Sequence, residues 1–211
     1  MSKTIKVVCP EVRILDRAWQ RLLAYIDACP REISGLGAVE TDGNALTVTE
    51  VILLRQKSSS VDTELDSSAI MELLNDWTSK GRDIEKLKFW WHSHANMPCF
   101  WSSTDRDTIR LLTGDGGYLV SYVGNRRGEY CLRLSLMAGR QVYLAADDLE
   151  MRIMADRNVR LAAEVRQEIR EKVKVPLFPW NLSAKPTSQP EDAKTAELID
   201  DPSFLMKGTL K

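Results

Sequence analysis

The run Leu87-Lys88-Phe89-Trp90-Trp91-His92-Ser93-His94-Ala95-Asn96-Met97-Pro98-Cys99-Phe100-Trp101-Ser102-Ser103-Thr104-Asp105 contains both histidines of a 211-residue chain. Its first part, Leu87 to Trp91, is apolar and aromatic and reads as a strand leading straight into His92-Ser93-His94. Side chains two apart on a strand point to the same face, so both imidazoles can reach one ion. Ser103 to about Leu112 then reads as a short helix, and the preceding Ser102 with Asp105 has the form of a capping box.

Outward from this run, Leu15, Trp19, Leu22, Leu23 and Ile26 recur at helical spacing, so a first helix is expected over Leu15 to Cys29, ended by Pro30 and preceded by a strand at Ile5 to Val8. Ala38 to Thr41 and Leu46 to Leu54 flank Asp42-Gly43-Asn44 as a hairpin. Leu65, Ala69, Leu73, Leu74 and Trp77 mark a second helix closed by Lys80-Gly81. Tyr118 to Val123 and Tyr130 to Leu136 form another predicted hairpin, and Gln141 to Leu144 a last strand. Asp147 to Val175 is expected as one long helix carrying Leu149, Ile153, Leu161, Val165 and Ile169. Residues 1–175 are thus read as one domain. Residues 176–211, with Pro176, Pro179, Pro186 and Pro190 among polar residues, are read as a C-terminal extension available to a partner or a second copy of the chain. The order of elements predicts an α/β (α+β) fold with a mostly antiparallel sheet flanked by helices.

Bulk properties narrow the function classes. A formal net charge of −1, from 29 basic and 30 acidic residues, lacks the footprint of a nucleic-acid binder. No long apolar run predicts a membrane span, and the N terminus lacks the pattern of a signal peptide. Cys9, Cys29, Cys99 and Cys131 form no CxxC pair, which points to reduced thiols in the cytoplasm rather than to a disulfide framework or a thiolate metal site.

His92, His94 and Asp105 make a candidate ligand set. Two neutral imidazoles and one carboxylate leave a tetrahedral zinc a position for water, which is the catalytic pattern, and the ion can lower that water's pKa to about 7. Ser102 could donate to an oxyanion in a tetrahedral intermediate, or could act only as the helix cap. Trp101, next to Ser102 in a loop, is a candidate for gripping an extended peptide, and Cys99 is a nearby thiol.

The string HxHx7SxxD formed by His92, His94, Ser102 and Asp105, with Ser93 as the small hydroxyl residue between the histidines, resembles the JAMM motif of the MPN+ (JAB domain) zinc metallopeptidases. The resemblance covers about Ile5 to Val175. It implies an MPN fold, which is cytidine-deaminase-like, and one zinc per chain. It also implies a glutamate upstream, which Pro30-Arg31-Glu32-Ile33-Ser34-Gly35-Leu36-Gly37 supplies at Glu32, although the run after Glu32 is shorter than the family's glycine- and leucine-rich version. In that family the glutamate takes a proton from the attacking water, and many members deconjugate or process ubiquitin-like proteins after a C-terminal Gly-Gly. Two other readings stand beside it. A non-catalytic MPN scaffold would generally lack part of the motif, and a two-histidine, one-carboxylate iron site usually belongs to an all-β barrel.

Overall fold

The computed structural model describes residues 8–58, 63–115, 117–138, 142–155 and 162–174. The chain divides into a unit of residues 1–176 and a second unit, residues 177–211; the whole C-terminal extension, residues 176–211, lies outside the described residues.

In chain order the elements are β1 (Glu11–Leu15), α1 (Asp16–Ala28), β2 (Ser34–Asp42), β3 (Ala45–Leu53), β4 (Gln56–Ser58), β5 (Thr63–Leu65), α2 (Ser67–Ser79), β6 (Phe89–Ser93), α3 (Ser103–Thr113), β7 (Tyr118–Gly124), β8 (Tyr130–Ala138), β9 (Val142–Ala146), β10 (Met151–Met154), α4 (Ala162–Lys172) and β11 (Val173–Lys174). The fold is mixed α+β. Its main sheet has the order β10-β1-β3-β2-β6-β7-β8-β9, and β11-β4-β5 form a smaller one. Within the main sheet four pairings are antiparallel (β2 with β3, β2 with β6, β7 with β8, β8 with β9) and three are parallel (β1 with β10, β1 with β3, β6 with β7).

Both predicted hairpins form. Asp42 pairs with Ala45 across Gly43-Asn44, where Gly43 takes φ +54°, a backbone that side chains rarely tolerate. Helix α1 buries Leu22 and Ile26 of the expected stripe together with Ala18 and Tyr25, leaves Leu15, Trp19 and Leu23 half-buried, and ends at Ala28 with Cys29 as its cap, just before Pro30.

One expectation lies almost wholly outside the described residues and another is corrected. The strand expected at Ile5 to Val8 falls on residues 5–7, which lie outside the described residues, and on Val8, which belongs to no strand; the first strand among the described residues is Glu11–Leu15. The unbroken helix expected from Asp147 to Val175 is replaced by strand β10 at Met151–Met154 and the later helix α4, with residues 156–161 outside the described residues. The reason is sheet closure. Strands β9 and β10 occupy opposite ends of the sheet order but are separated in sequence only by residues 147–150. Seven spacings of about 4.8 Å would set the outer strands of a flat sheet about 34 Å apart. Five Cα steps reach only about 18 Å. The sheet therefore curls. Leu149 N–H still donates to Leu132 O on β8 (3.3 Å), Asp148 turns the chain at φ +54°, and β10 then pairs in parallel with β1.

The curled sheet separates two apolar layers. On one face α1 and Val165 of α4 cover Ile14, Val48, Phe89, Trp91 and Leu132; on the other, Trp90, Leu36, Ile109 and Leu119 pack with Leu73 of α2 and Trp101. Trp90 and Trp91 thus serve opposite layers, as their alternation predicts. The glycines of β2 permit this packing, because a Cβ on Gly35 would stand 2.8 Å from the Trp91 ring and one on Gly37 2.8 Å from Phe89. Among the described residues no helix is long and apolar enough to cross a membrane.

Candidate metal centre

Strand β6 lies between β2 and β7 and carries the histidines to its carboxyl end. Because β6 and β7 are parallel, the chain must cross over between them, and α3 makes that crossing with its N terminus returned to the end of β6. His92 is the fourth residue of the strand, and His94 follows its last residue. His94 N–H still donates to Gly124 O at 2.9 Å, so the loop begins anchored.

Three ligand atoms converge. His92 Nε2 lies 3.2 Å from His94 Nε2 and 3.4 Å from Asp105 Oδ1, and one donor atom from each of the three residues falls within 4.8 Å of the others. Ligands at about 2.0–2.1 Å around a tetrahedral zinc stand about 3.3–3.4 Å apart, so the spacing fits such an ion. His94 Nδ1 pairs with Pro98 O (2.9 Å); the carbonyl can only accept, so Nδ1 carries the proton and Nε2 presents its lone pair to the cluster. His92 is 3% exposed. Burial, opposed by the Asp105 carboxylate and assisted by His94, pushes its pKa down to about 4, which keeps it neutral and able to ligate near pH 7. Its Nδ1 has no hydrogen-bond partner among the described residues, so its polar neighbours are the other two candidate ligands.

Asp105 and Ser102 form a complete capping box. Asp105 N–H donates to Ser102 Oγ (3.1 Å), while Ser102 N–H and Oγ–H donate to Asp105 Oδ2 at 2.8 and 2.7 Å. Oδ2 thus closes the cap, and Oδ1 faces His92.

Glu32 is buried. Ser34 pairs with His92, and Ser93 N–H donates to Ile33 O at 2.7 Å, so the segment that holds Glu32 runs beside the carboxyl end of β6. Glu32 is not part of the three-residue ligand cluster. Its backbone is clamped from β4, where Ser58 Oγ donates to Glu32 O and the buried Gln56 amide bonds both N–H and C=O of Ser34.

Trp101 is half-buried, its ring 5.9 Å from His92 and 6.5 Å from Trp90. Phe100 is the more open ring, 52% exposed and edge-on to His94 at 4.9 Å. The Cys99 thiol donates to Glu129 O, and burial, with the neighbouring Cys131 and Glu129, pushes its pKa up to about 12, which leaves it a poor nucleophile.

Several positioning residues escape a reading of the sequence. Ser93 Oγ accepts from Ala95 N–H (3.0 Å), supporting the left-handed turn at Ala95 (φ +50°) that follows His94. Asn125, buried in the β7–β8 turn, donates through Nδ2 to Met97 O (2.8 Å) and Glu129 Oε2 (2.6 Å), while its Oδ1 accepts from Arg127 and Glu129 N–H. It therefore ties the hairpin turn to the loop that orients His94. An Asn within Gly124-Asn125-Arg126-Arg127-Gly128 signals a turn, but not what the turn supports.

No protein-family model matches the chain, and no curated protein does. Among solved structures, a protein from Desulfitobacterium hafniense determined in solution is similar at 18% identity, covering 70% of this chain and 94% of its own, with a TM-score of 0.49.

Proposed function

We propose that this chain is a zinc-dependent peptidase of the JAMM type, with an MPN fold, that hydrolyses the peptide or isopeptide bond after the C-terminal Gly-Gly of a ubiquitin-like protein. The observation that carries the reading is the convergence of His92 Nε2, His94 Nε2 and Asp105 Oδ1 at separations suited to a tetrahedral ion. Zinc held by these three residues would supply Lewis-acid activation of a water and of the scissile carbonyl. Glu32, next to the cluster by register but outside it, accepts the water's proton and delivers it to the leaving amine. Ser102 Oγ keeps the Asp105 N–H bond and turns its own proton from Asp105 Oδ2 toward the developing oxyanion. Phe100 and Trp101 flank the approach and hold the extended tail. Four cysteines free of disulfides support a reducing compartment, the cytoplasm.

The test is to prepare the protein with zinc, count metal per chain by mass spectrometry, and assay fusions of a ubiquitin-like domain ending in Gly-Gly or in a bulkier pair. One zinc per chain and cleavage after Gly-Gly alone are expected. Zinc-loaded protein that cleaves neither fusion would remove the peptidase reading, and equal cleavage of both would leave a peptidase without ubiquitin-like specificity. Iron in place of zinc would favour the oxygenase class.

A further inference from the structure

Toward the centre, β2 outruns its ladder with β3. The last pair is Gly35 with Leu53; beyond it Leu54 and Arg55 belong to no strand, while Ser34 still pairs with His92 on β6. An extended chain points its main-chain groups to alternate sides. Ile33 O turns to β6, where it accepts from Ser93 N–H, so Glu32 and Ser34 turn theirs the other way. There they meet side chains instead of a strand. Gln56 Oε1 accepts from Ser34 N–H (2.7 Å), and Gln56 Nε2 donates to Ser34 O (2.9 Å) and Leu54 O (2.8 Å). Two residues on, Ser58 Oγ donates to Glu32 O. Gln56 and Ser58 are 3% and 1% exposed and Lys57 between them is exposed, so β4 turns one face to residues 32–34, with its two polar side chains spaced as Ser34 and Glu32 are. A carboxamide can stand in for a strand here because it carries the same donor and acceptor as a peptide group. Strand β4 is itself fixed on both edges, by β5 and by β11 at the end of α4. Ile33 packs into the α1 layer, so alternation turns Glu32 and Ser34 to the other face, that of Trp90 and His92.

We propose that Gln56 and Ser58 are positioning residues for proton transfer at the metal centre: they hold the main chain of Glu32 beside the end of β6 and so set where its carboxylate meets the water. This rests on the peptidase reading above, in which Glu32 is the base. Neither residue belongs to the ligand cluster, so both act through Glu32 rather than on the metal. The base is placed by two side chains of the smaller sheet in place of the main sheet's own ladder, and a displacement of about 1 Å there can slow the reaction about 100-fold.

Two readouts test this, one of them needing neither metal nor substrate. In the metal-free protein, carbon-13 magnetic resonance follows the main-chain carbonyl and the side-chain carboxyl of Glu32 in the wild type, Ser58→Ala and Gln56→Met, with Lys57→Ala as an exposed control on the same strand. Both resonances should move in Ser58→Ala and Gln56→Met and stay in Lys57→Ala. A carboxyl resonance that stays put in Ser58→Ala, the milder change, overturns the proposal, because the grip would then end at the main chain. In zinc-loaded protein assayed on the Gly-Gly fusion, kcat should fall on the order of tenfold or more in Ser58→Ala, at unchanged KM and one zinc per chain. The same change made in Glu32→Gln should have little further effect, since a residue acting through Glu32 has no base left to place. Equal losses in both backgrounds, or no loss in either, overturn the positioning role and leave the peptidase reading intact. A zinc-loaded wild type that cleaves no fusion overturns the peptidase reading, and the Glu32 resonances alone then decide whether the grip reaches the carboxylate.

Discussion

Asp105 turns Oδ1 to His92 Nε2 at 3.4 Å while its Oδ2 accepts from the backbone and hydroxyl of Ser102. A helix cap and a candidate metal ligand are thus one carboxylate, held in place by the turn it stabilises. The rigidity of the start of α3 is thereby transferred to the ligand set, as a preorganised site requires.

Replacing Ser102 should separate the two roles of that hydroxyl. Ser102→Ala is expected to lose about 1 kcal/mol of stability with the cap. If the hydroxyl also supports an oxyanion, kcat should fall about 100-fold or more. Calorimetry and steady-state kinetics on one preparation check both, and a lower melting temperature at unchanged kcat would confine Ser102 to capping.

His92→Ala and His94→Ala should abolish stoichiometric zinc and hydrolysis while leaving the far-ultraviolet circular dichroism of the fold in place. The metal-free protein should also show a pH signature. Because the folded pKa of His92 is lowered from 6.5 to about 4, the unfolded chain takes up a proton in that interval before the folded chain does. Stability therefore falls as pH drops from about 6.5 to 4, and denaturant titrations at several pH values should show a shallower fall in His92→Gln.

Glu32→Gln should stay folded and zinc-loaded, because Glu32 is not among the three clustered ligands, yet turn over at least about 100-fold more slowly, since an amide cannot accept the water's proton. Turnover at the wild-type rate would place the base elsewhere, with Glu40 and Glu50 next to be tested.

Phe100 and Trp101 should part company under mutation. Phe100→Ala, at the more exposed ring, should raise KM with little change in melting temperature. Trp101→Ala removes a ring packed against Trp90 and the Ile109 layer and should cost about 1–3 kcal/mol of stability besides any effect on KM. A Phe100→Ala enzyme with unaltered KM would show that the substrate does not touch that ring.

Asn125→Ala lies outside the ligand set and should weaken it all the same. The change strips the amide from Met97 O and orphans the Arg127 and Glu129 amides, so a loss of about 2–3 kcal/mol in stability is expected. With the loop that orients His94 loosened, zinc affinity should fall about tenfold, measurable by competition with a chelator.

Local pattern was sufficient for much of this protein. The alternation through Phe89 to His94, the helical spacing from Leu22 to Ile26 and the turn at Gly43 are each set by interactions within a few residues, so the elements they predict appear where expected. So too with Ser102 and Asp105: a capping box is a local structure, legible from three-residue spacing. The fate of Met151–Met154 was not legible. Four residues with three apolar positions suit helix or strand alike, and only the curl that brings the end of β9 round to β1 selects strand. The same holds for the centre's surroundings. Which aromatic ring is open and what holds the loop that orients His94 depend on contacts between segments 28 or more residues apart, such as Cys99 with Glu129 and Asn125 with Met97, separated by 30 and 28 positions. Those contacts follow from sheet register and helix packing, which no short window of sequence contains.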